Sequence, residues 1–149
     1  MLFRSALLDL AEDYAPKLEN TIVMETGGMK GKRKELSKSE LHKVLTESFG
    51  VKRIHSEYGM AELTSQAYST GEGVFRTPDW MRVLVRDAAN PTDVKTTGRG
   101  GINIIDLASR DSVAFIATGD VGTVADNGSF VIEGRIAHSD IRGCNLLVQ

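Results

Sequence analysis

An α/β part followed by a β-rich part is the fold class predicted, on two observations. The first half runs strand, helix, strand with no hairpin turn between the strands, which implies a parallel pair joined by a crossover. The second half carries short apolar runs parted by Gly, Asp and Asn, the texture of antiparallel hairpins. The first element is a helix, because Leu2, Phe3, Ala6, Leu7, Leu10, Ala11 and Tyr14 recur at three-to-four spacing and Pro16 limits its continuation. TIVMET (21–26) reads as a buried strand ending in the glycine turn Gly27-Gly28. Ser37 with Glu40 three residues on predicts a capping box for a second helix, whose Leu41, Val44, Leu45 and Phe49 share one face before Gly50 stops it. VKRIHSEYG (51–59) then starts the parallel partner strand. These elements make an α/β part over 1–71.

From Glu72 the runs WMRVLVRD, GGINIIDLA and SVAFIATGD predict a mainly antiparallel part over 72–149. Asn127-Gly128, between GTVA and SFVIE, supplies the positive φ angles of a tight hairpin turn. AANPTDVKTTGRGG (88–101) is the most loop-like stretch, and Trp80 is expected to anchor the β half.

Composition narrows the function. The chain has 149 residues, 41% of them apolar, enough to bury a core, and 18 basic against 20 acidic side chains give a net charge of -2. Such a balance supplies no field for nucleic acid or an anionic membrane. No apolar run is long enough to span a bilayer, and the N-terminal segment is broken by Arg4, Asp9, Glu12 and Asp13, unlike a signal peptide. A cytoplasmic protein is expected. The single cysteine, Cys144, excludes an internal disulfide and any cysteine cluster.

Three segments carry candidate chemistry. ETGGMKG (25–31) and SEYGMAE (56–62) each follow a strand, and ligands of open α/β sheets bind beyond strand carboxyl ends. Gly27, Gly28 and Gly59 let a ligand approach the backbone, Tyr58 offers a flat face, and Glu62 is a carboxylate able to hold a divalent cation. A pair of structural turns is the plain alternative. The third segment is TGDVG (118–122), followed after the hairpin by GRIAHSDIRGC (134–144). The basic run KGKRK (30–34) reads as a solvated loop, His55, at a strand end beside the ligand edge, reads as a hydrogen-bonded core histidine or a contact to an acyl or nucleotide group, and His42 and His138 are too scattered to suggest a metal site.

The order GG, EYGMAE, TGD, then GR after a hairpin resembles the adenylate-forming enzymes, the superfamily of acyl-CoA synthetases, luciferases and peptide-synthetase adenylation domains. Within it, SEYGMAELTSQAYS and DIRGCNLL are most similar to the acyl-protein synthetases of the fatty-acid reductase system of bacterial bioluminescence, over about residues 22–148. The fold implied is a portion of the large domain of such enzymes. The activity implied is ATP-dependent activation of a carboxylic acid as its acyl-adenylate, with transfer of the acyl group to a thiol.

By that resemblance Gly27 and Gly28 line the adenine pocket, Tyr58 and Gly59 lie beside the base, Glu62 binds magnesium, Asp120 holds the ribose hydroxyls and Arg135 joins it there. Cys144 matches the acyl-accepting cysteine. The family's motif hydroxyl is replaced by Ala61, and its phosphate contact would pass to Thr64 or Ser65. The phosphate-binding loop and the lysine-bearing domain of the superfamily have no counterpart in the sequence, so the chain reads as a C-terminal piece not expected to adenylate alone. ATP, magnesium, a carboxylic acid and an acyl-accepting reductase or other protein are the implied partners, and exposed sheet edges invite self-association. The alternative is a non-catalytic nucleotide-binding or assembly module that retains part of the fold.

Overall fold

A computed structural model describes residues 2–27 and 36–136. The chain forms two compact units, one from the residues up to Tyr58 together with Ala67–Phe75, the other from Gly59–Gln66 together with the residues from Arg76 on. The expected α/β part and the expected antiparallel part are both present.

In the first unit, β1 (Leu2–Phe3) pairs in parallel with β2 (Met24–Thr26), and β2 in parallel with β3 (His55–Tyr58). β4 (Ala67–Ser69) returns antiparallel to β3, and the short β5 (Val74–Arg76) follows. The opening residues depart from the helical expectation, because Leu2 and Phe3 extend against β2 and α1 spans only Arg4–Asp13. A short sheet partner for the chain start competes with the helical spacing and wins. Leu7, Leu8 and Ala11 form the buried stripe of α1, whereas Tyr14, expected on that face, lies past the helix end and is 77% exposed.

The second helix, α2 (Lys38–Phe49), begins as its sequence dictates. Ser37 Oγ accepts from Glu40 N at 3.2 Å, and the Glu40 carboxylate accepts from Ser37 N at 2.8 Å. Gly50 closes it in the left-handed region at φ 67. Leu41, Leu45 and Phe49 recur every four residues and are fully buried. Val44, expected beside them, sits at the stripe's margin and is 37% exposed. Together with Val23, Val51 and Ile54, the two helix stripes make the core of this unit.

The second unit is antiparallel. β6 (Met81–Arg86) pairs with β7 (Val94–Lys95) and with β8 (Gly98–Asp106), β8 pairs with β9 (Phe115–Val124), and β9 pairs with β10 (Phe130–Arg135). A single 3-10 turn, η1 (Leu107–Ser109), follows β8. Met81, Val83, Val85, Ile102, Ile104, Val124 and Phe130 alternate onto a buried face. Much of the stretch expected as loop is strand, since β7 and the start of β8 fall within 88–101. The β9–β10 hairpin stands where Asn127-Gly128 predicts it, with a difference in the turn. Ala125 N donates to Ser129 O at 2.8 Å around a three-residue loop, and positive φ falls on Gly128 alone (φ 78). Among the described residues, no helix is long and apolar enough to cross a membrane.

Candidate functional site

The TGD segment does not continue the ladder of its strand. Gly101 pairs with Val121 and Asn103 with Ala117, so Ile102 alone opposes the three residues Thr118, Gly119 and Asp120. Those three form a wide bulge in the middle of β9, a device that re-aims side chains at strand positions near sites. Its backbone is not left unpaired. Thr118 Oγ1 donates to Ile102 O at 2.9 Å, Arg86 Nη1 donates to the same carbonyl at 2.8 Å, and Arg86 Nη2 donates to Thr118 O. Arg86 also reaches Asn103 Oδ1 at 2.6 Å. A Cβ at Gly101 would lie 2.8 Å from Arg86 Cζ, so glycine is what lets the guanidinium cross the strand.

A second bulge answers the first. In β10, Ile132 pairs with Gly122 while Gly134 pairs with Val121, which leaves Glu133 as the extra residue. Glu133 accepts from Thr123 Oγ1 at 2.6 Å and from Arg99 Nε at 2.6 Å, and these bonds hold its carboxyl below the usual carboxylate range. Without that extra residue Arg135 would stand opposite Gly119. With it, Arg135 is registered on Asp120, and Arg135 Nε lies 3.7 Å from Asp120 Oδ1. The structure thus brings Asp120 and Arg135 together, half-exposed, at the second unit's bulged edge. Neither bulge nor the role of Arg86 is predicted from the sequence; the paired glycines at 100–101 and 119–122 are its only trace.

Gly59–Gln66, the loop of the EYGMAE motif after Tyr58, also belongs to the second unit. Its two ends meet, because a Cβ on Gly59 would lie 2.9 Å from Gln66 Cγ. Leu63 N donates to Met60 O at 3.1 Å across a turn that presents Ala61 and Glu62 to solvent, with Leu63 buried beneath. Ser65 N and Ser65 Oγ each donate at 2.8 Å to the two carboxylate oxygens of Asp106, and Trp80 Nε1 donates to Ser65 Oγ at 2.8 Å. Trp80 is 54% exposed, so its anchoring role in the β half rests on this bond rather than on burial. Ser65 is therefore removed from the candidates for the missing motif hydroxyl. Thr64, exposed, lies with its hydroxyl 3.0 Å from Ser109 Oγ.

In the first unit, Gly27 follows β2 with φ 72, and Tyr58 ends β3 with its ring 5.8 Å from Phe75 at 56°. The most heavily bonded group there is one the sequence reading passed over, Glu25. Its side chain is wholly buried, accepts from Arg4 Nε at 2.7 Å and Ser56 Oγ at 2.6 Å, and lies 3.4 Å from His42 Nε2 and 3.5 Å from Lys38 Nζ. Burial pushes the carboxyl upward, but the bonds from His42, Arg4 and Ser56 and the Arg4 charge outweigh it and bring the pKa down to about 2. Gly28 and Cys144 lie outside the described residues.

Magnesium is the one metal the sequence resemblance implies. Among the described residues no three His, Cys, Asp or Glu side chains gather to hold a cation. An exposed single carboxylate nevertheless suits magnesium, which commonly takes one or two protein carboxylates and completes its shell with water and phosphate. Glu62 fits that donor set.

No family model and no curated protein matches the sequence. Solved structures do match in fold. The luciferase-like enzyme from the nonluminescent Zophobas morio mealworm superposes with a TM-score of 0.64 at 17% identity, over 93% of this chain and 37% of that one. The fold is a portion of the adenylate-forming enzyme domain. ATP-bound MatB from Rhodopseudomonas palustris matches with a TM-score of 0.62 at 16% identity, over 89% of this chain and 30% of its own. Coronafacic acid ligase from Pectobacterium brasiliense gives 0.62 and 16%, over 89% and 28%. The chain spans about a third of the length of these structures.

Proposed function

We propose that the chain is the nucleotide-binding portion of an ATP-dependent acid ligase of the acyl-protein synthetase type, working in the cytoplasm. The observation that carries this is the pair of matched bulges that registers Arg135 on Asp120. A carboxylate accepts two hydrogen bonds at once and so suits the two hydroxyls of a ribose, with the guanidinium beside it. By the sequence resemblance alone, Gly27, Gly28, Tyr58 and Gly59 are assigned to the adenine. Thr64 takes over the phosphate contact that Ala61 cannot make. Glu62 would hold magnesium, which when bound offsets negative charge on the phosphates.

In the reaction that follows from this assignment, a fatty or related carboxylate attacks the α-phosphorus of ATP, the bond to the β-phosphate oxygen breaks, and pyrophosphate leaves. The Cys144 thiolate then attacks the acyl carbonyl, forming a thioester as AMP departs with the former carboxylate oxygen. A reductase is the natural acceptor of that thioester. What the described residues contribute is positioning of the nucleotide, since alignment alone lowers such barriers substantially. A second reading, a nucleotide-binding module that no longer catalyses, is favoured by Ala61 and by the commitment of Ser65 to Asp106.

Calorimetric titration of the 149-residue chain with AMP tests the shared part of both readings. Saturable binding is expected, and Asp120→Ala should weaken it by about tenfold or more, as loss of a charged hydrogen-bonding group does. A folded chain that takes up no AMP, or binds it equally well without Asp120, overturns the assignment.

A further inference from the structure

Asp106 lies outside every motif that carries the proposed function, yet it is the most heavily used acceptor in the second unit. Its side chain is wholly buried. Four donors converge on it: Ser65 N at 2.8 Å, Ser65 Oγ at 2.8 Å, Ala108 N at 3.1 Å and Ser109 Oγ at 3.2 Å. Ser109 Oγ in turn accepts from Thr64 N at 3.1 Å and pairs with Thr64 Oγ1 at 3.0 Å. Two consecutive residues of the motif loop are thus bolted to the end of β8 and the end of η1. Hydrogen bonds to a buried carboxylate are stronger than neutral ones and fix direction as well as distance. On the chain side, the bolt begins two residues after Glu62, across the turn that Leu63 N closes onto Met60 O.

We propose that Asp106 is a positioning residue for the cation contact of Glu62, acting through Ser65 and Thr64, and that Trp80 monitors that contact. An exposed turn carrying one carboxylate would otherwise sample many positions, and a cation held by one protein ligand depends on that ligand being already in place. Trp80, the one tryptophan of the chain, donates its indole N–H to Ser65 Oγ, so its emission reports on the bolt. This inference rests on the nucleotide reading given above, and Asp120 and Arg135 supply the comparison because neither Ser65 nor Asp106 contacts them in the hydrogen bonds of the site.

The test uses the 149-residue chain and two variants, Asp106→Asn and Ser65→Ala, the second of which removes one hydroxyl and leaves the Ser65 backbone bond to Asp106 intact. Affinity is measured by calorimetry for AMP and for adenosine, which offers Thr64 no phosphate, in chelator, and for ATP with and without magnesium, while Trp80 emission is followed. In the parent chain, magnesium should tighten ATP binding and shift the emission. In Asp106→Asn the magnesium-dependent gain should fall by about tenfold, the order of loss when the support of a metal ligand is removed, with adenosine affinity unchanged. Ser65→Ala should lose part of the gain and the emission shift. If Asp106→Asn fails to fold, Ser65→Ala decides alone. A magnesium gain untouched in the variants, or adenosine and magnesium responses that fall together, overturns the positioning role while the nucleotide reading stands. A parent chain that binds no AMP removes that reading and this inference with it.

Discussion

Glu25 is a carboxylate with no exposed surface, sharing its site with the charges of Arg4 and Lys38. Burial holds Lys38 below the usual lysine range, and the Glu25 charge works in the opposite direction. The consequence for stability has a definite sign. The folded pKa of Glu25 is depressed from 4.5 to about 2, so its contribution is fully present above pH 4.5 and is lost as pH falls toward 2. A depression of that size corresponds to about 3 kcal/mol. Thermal melting between pH 7 and pH 2.5 should show a steep loss of stability below pH 4.5 in the parent chain. Glu25→Gln should be less stable at pH 7, because Arg4 and Lys38 are left without their anion, and its melting should fall less steeply over the same acid range, where carboxylates such as Glu133 still titrate. A parallel acid profile in the two chains would sink this account.

At the scale of elements, the bulge at Thr118–Asp120 depends on Arg86, whose guanidinium serves Ile102 O, Thr118 O and Asn103 Oδ1 from the neighbouring strand. Arg86→Met keeps the length of the side chain and removes its donors. It should cost about 2 kcal/mol, the penalty for unpaired polar groups in a half-buried place, and should weaken AMP binding as Asp120 loses its register. Urea unfolding and calorimetry on one preparation would check both. An unchanged AMP affinity would mean that the bulge stands without Arg86.

Elements of this kind also mark where the sequence was readable. The capping box at Ser37 and Glu40, the Leu41, Leu45 and Phe49 stripe and the β9–β10 hairpin are local patterns, each closed within a dozen residues, and each is present. Tyr14, Val44 and Leu2–Phe3 were misread because spacing alone does not reveal where a stripe ends or that a chain start joins a sheet. The pairing of Asp120 with Arg135 matches the motif order, but its cause, two bulges in different strands, lies in register and leaves no local pattern. Glu25, Arg86 and Asp106 went unseen for the same reason. Their hydrogen-bonding partners stand between 16 and 41 residues away for all but the nearest bonds, and single charged residues within strands carry no periodic signal.

At the scale of the whole molecule, the proposed acyl transfer to Cys144 is the step to test. Incubation of the chain with a synthetic acyl-adenylate, followed by intact-mass measurement, should give one hydroxylamine-labile acyl adduct that Cys144→Ser abolishes. A folded chain that remains unmodified would favour the non-catalytic module. The arrangement of the two units sets a further condition on any such experiment. The polypeptide passes from one unit to the other after Tyr58, after Gln66 and after Phe75. No single cut in the gene can therefore leave both units whole, and an expression library of simple truncations would always deliver at least one of them in two pieces.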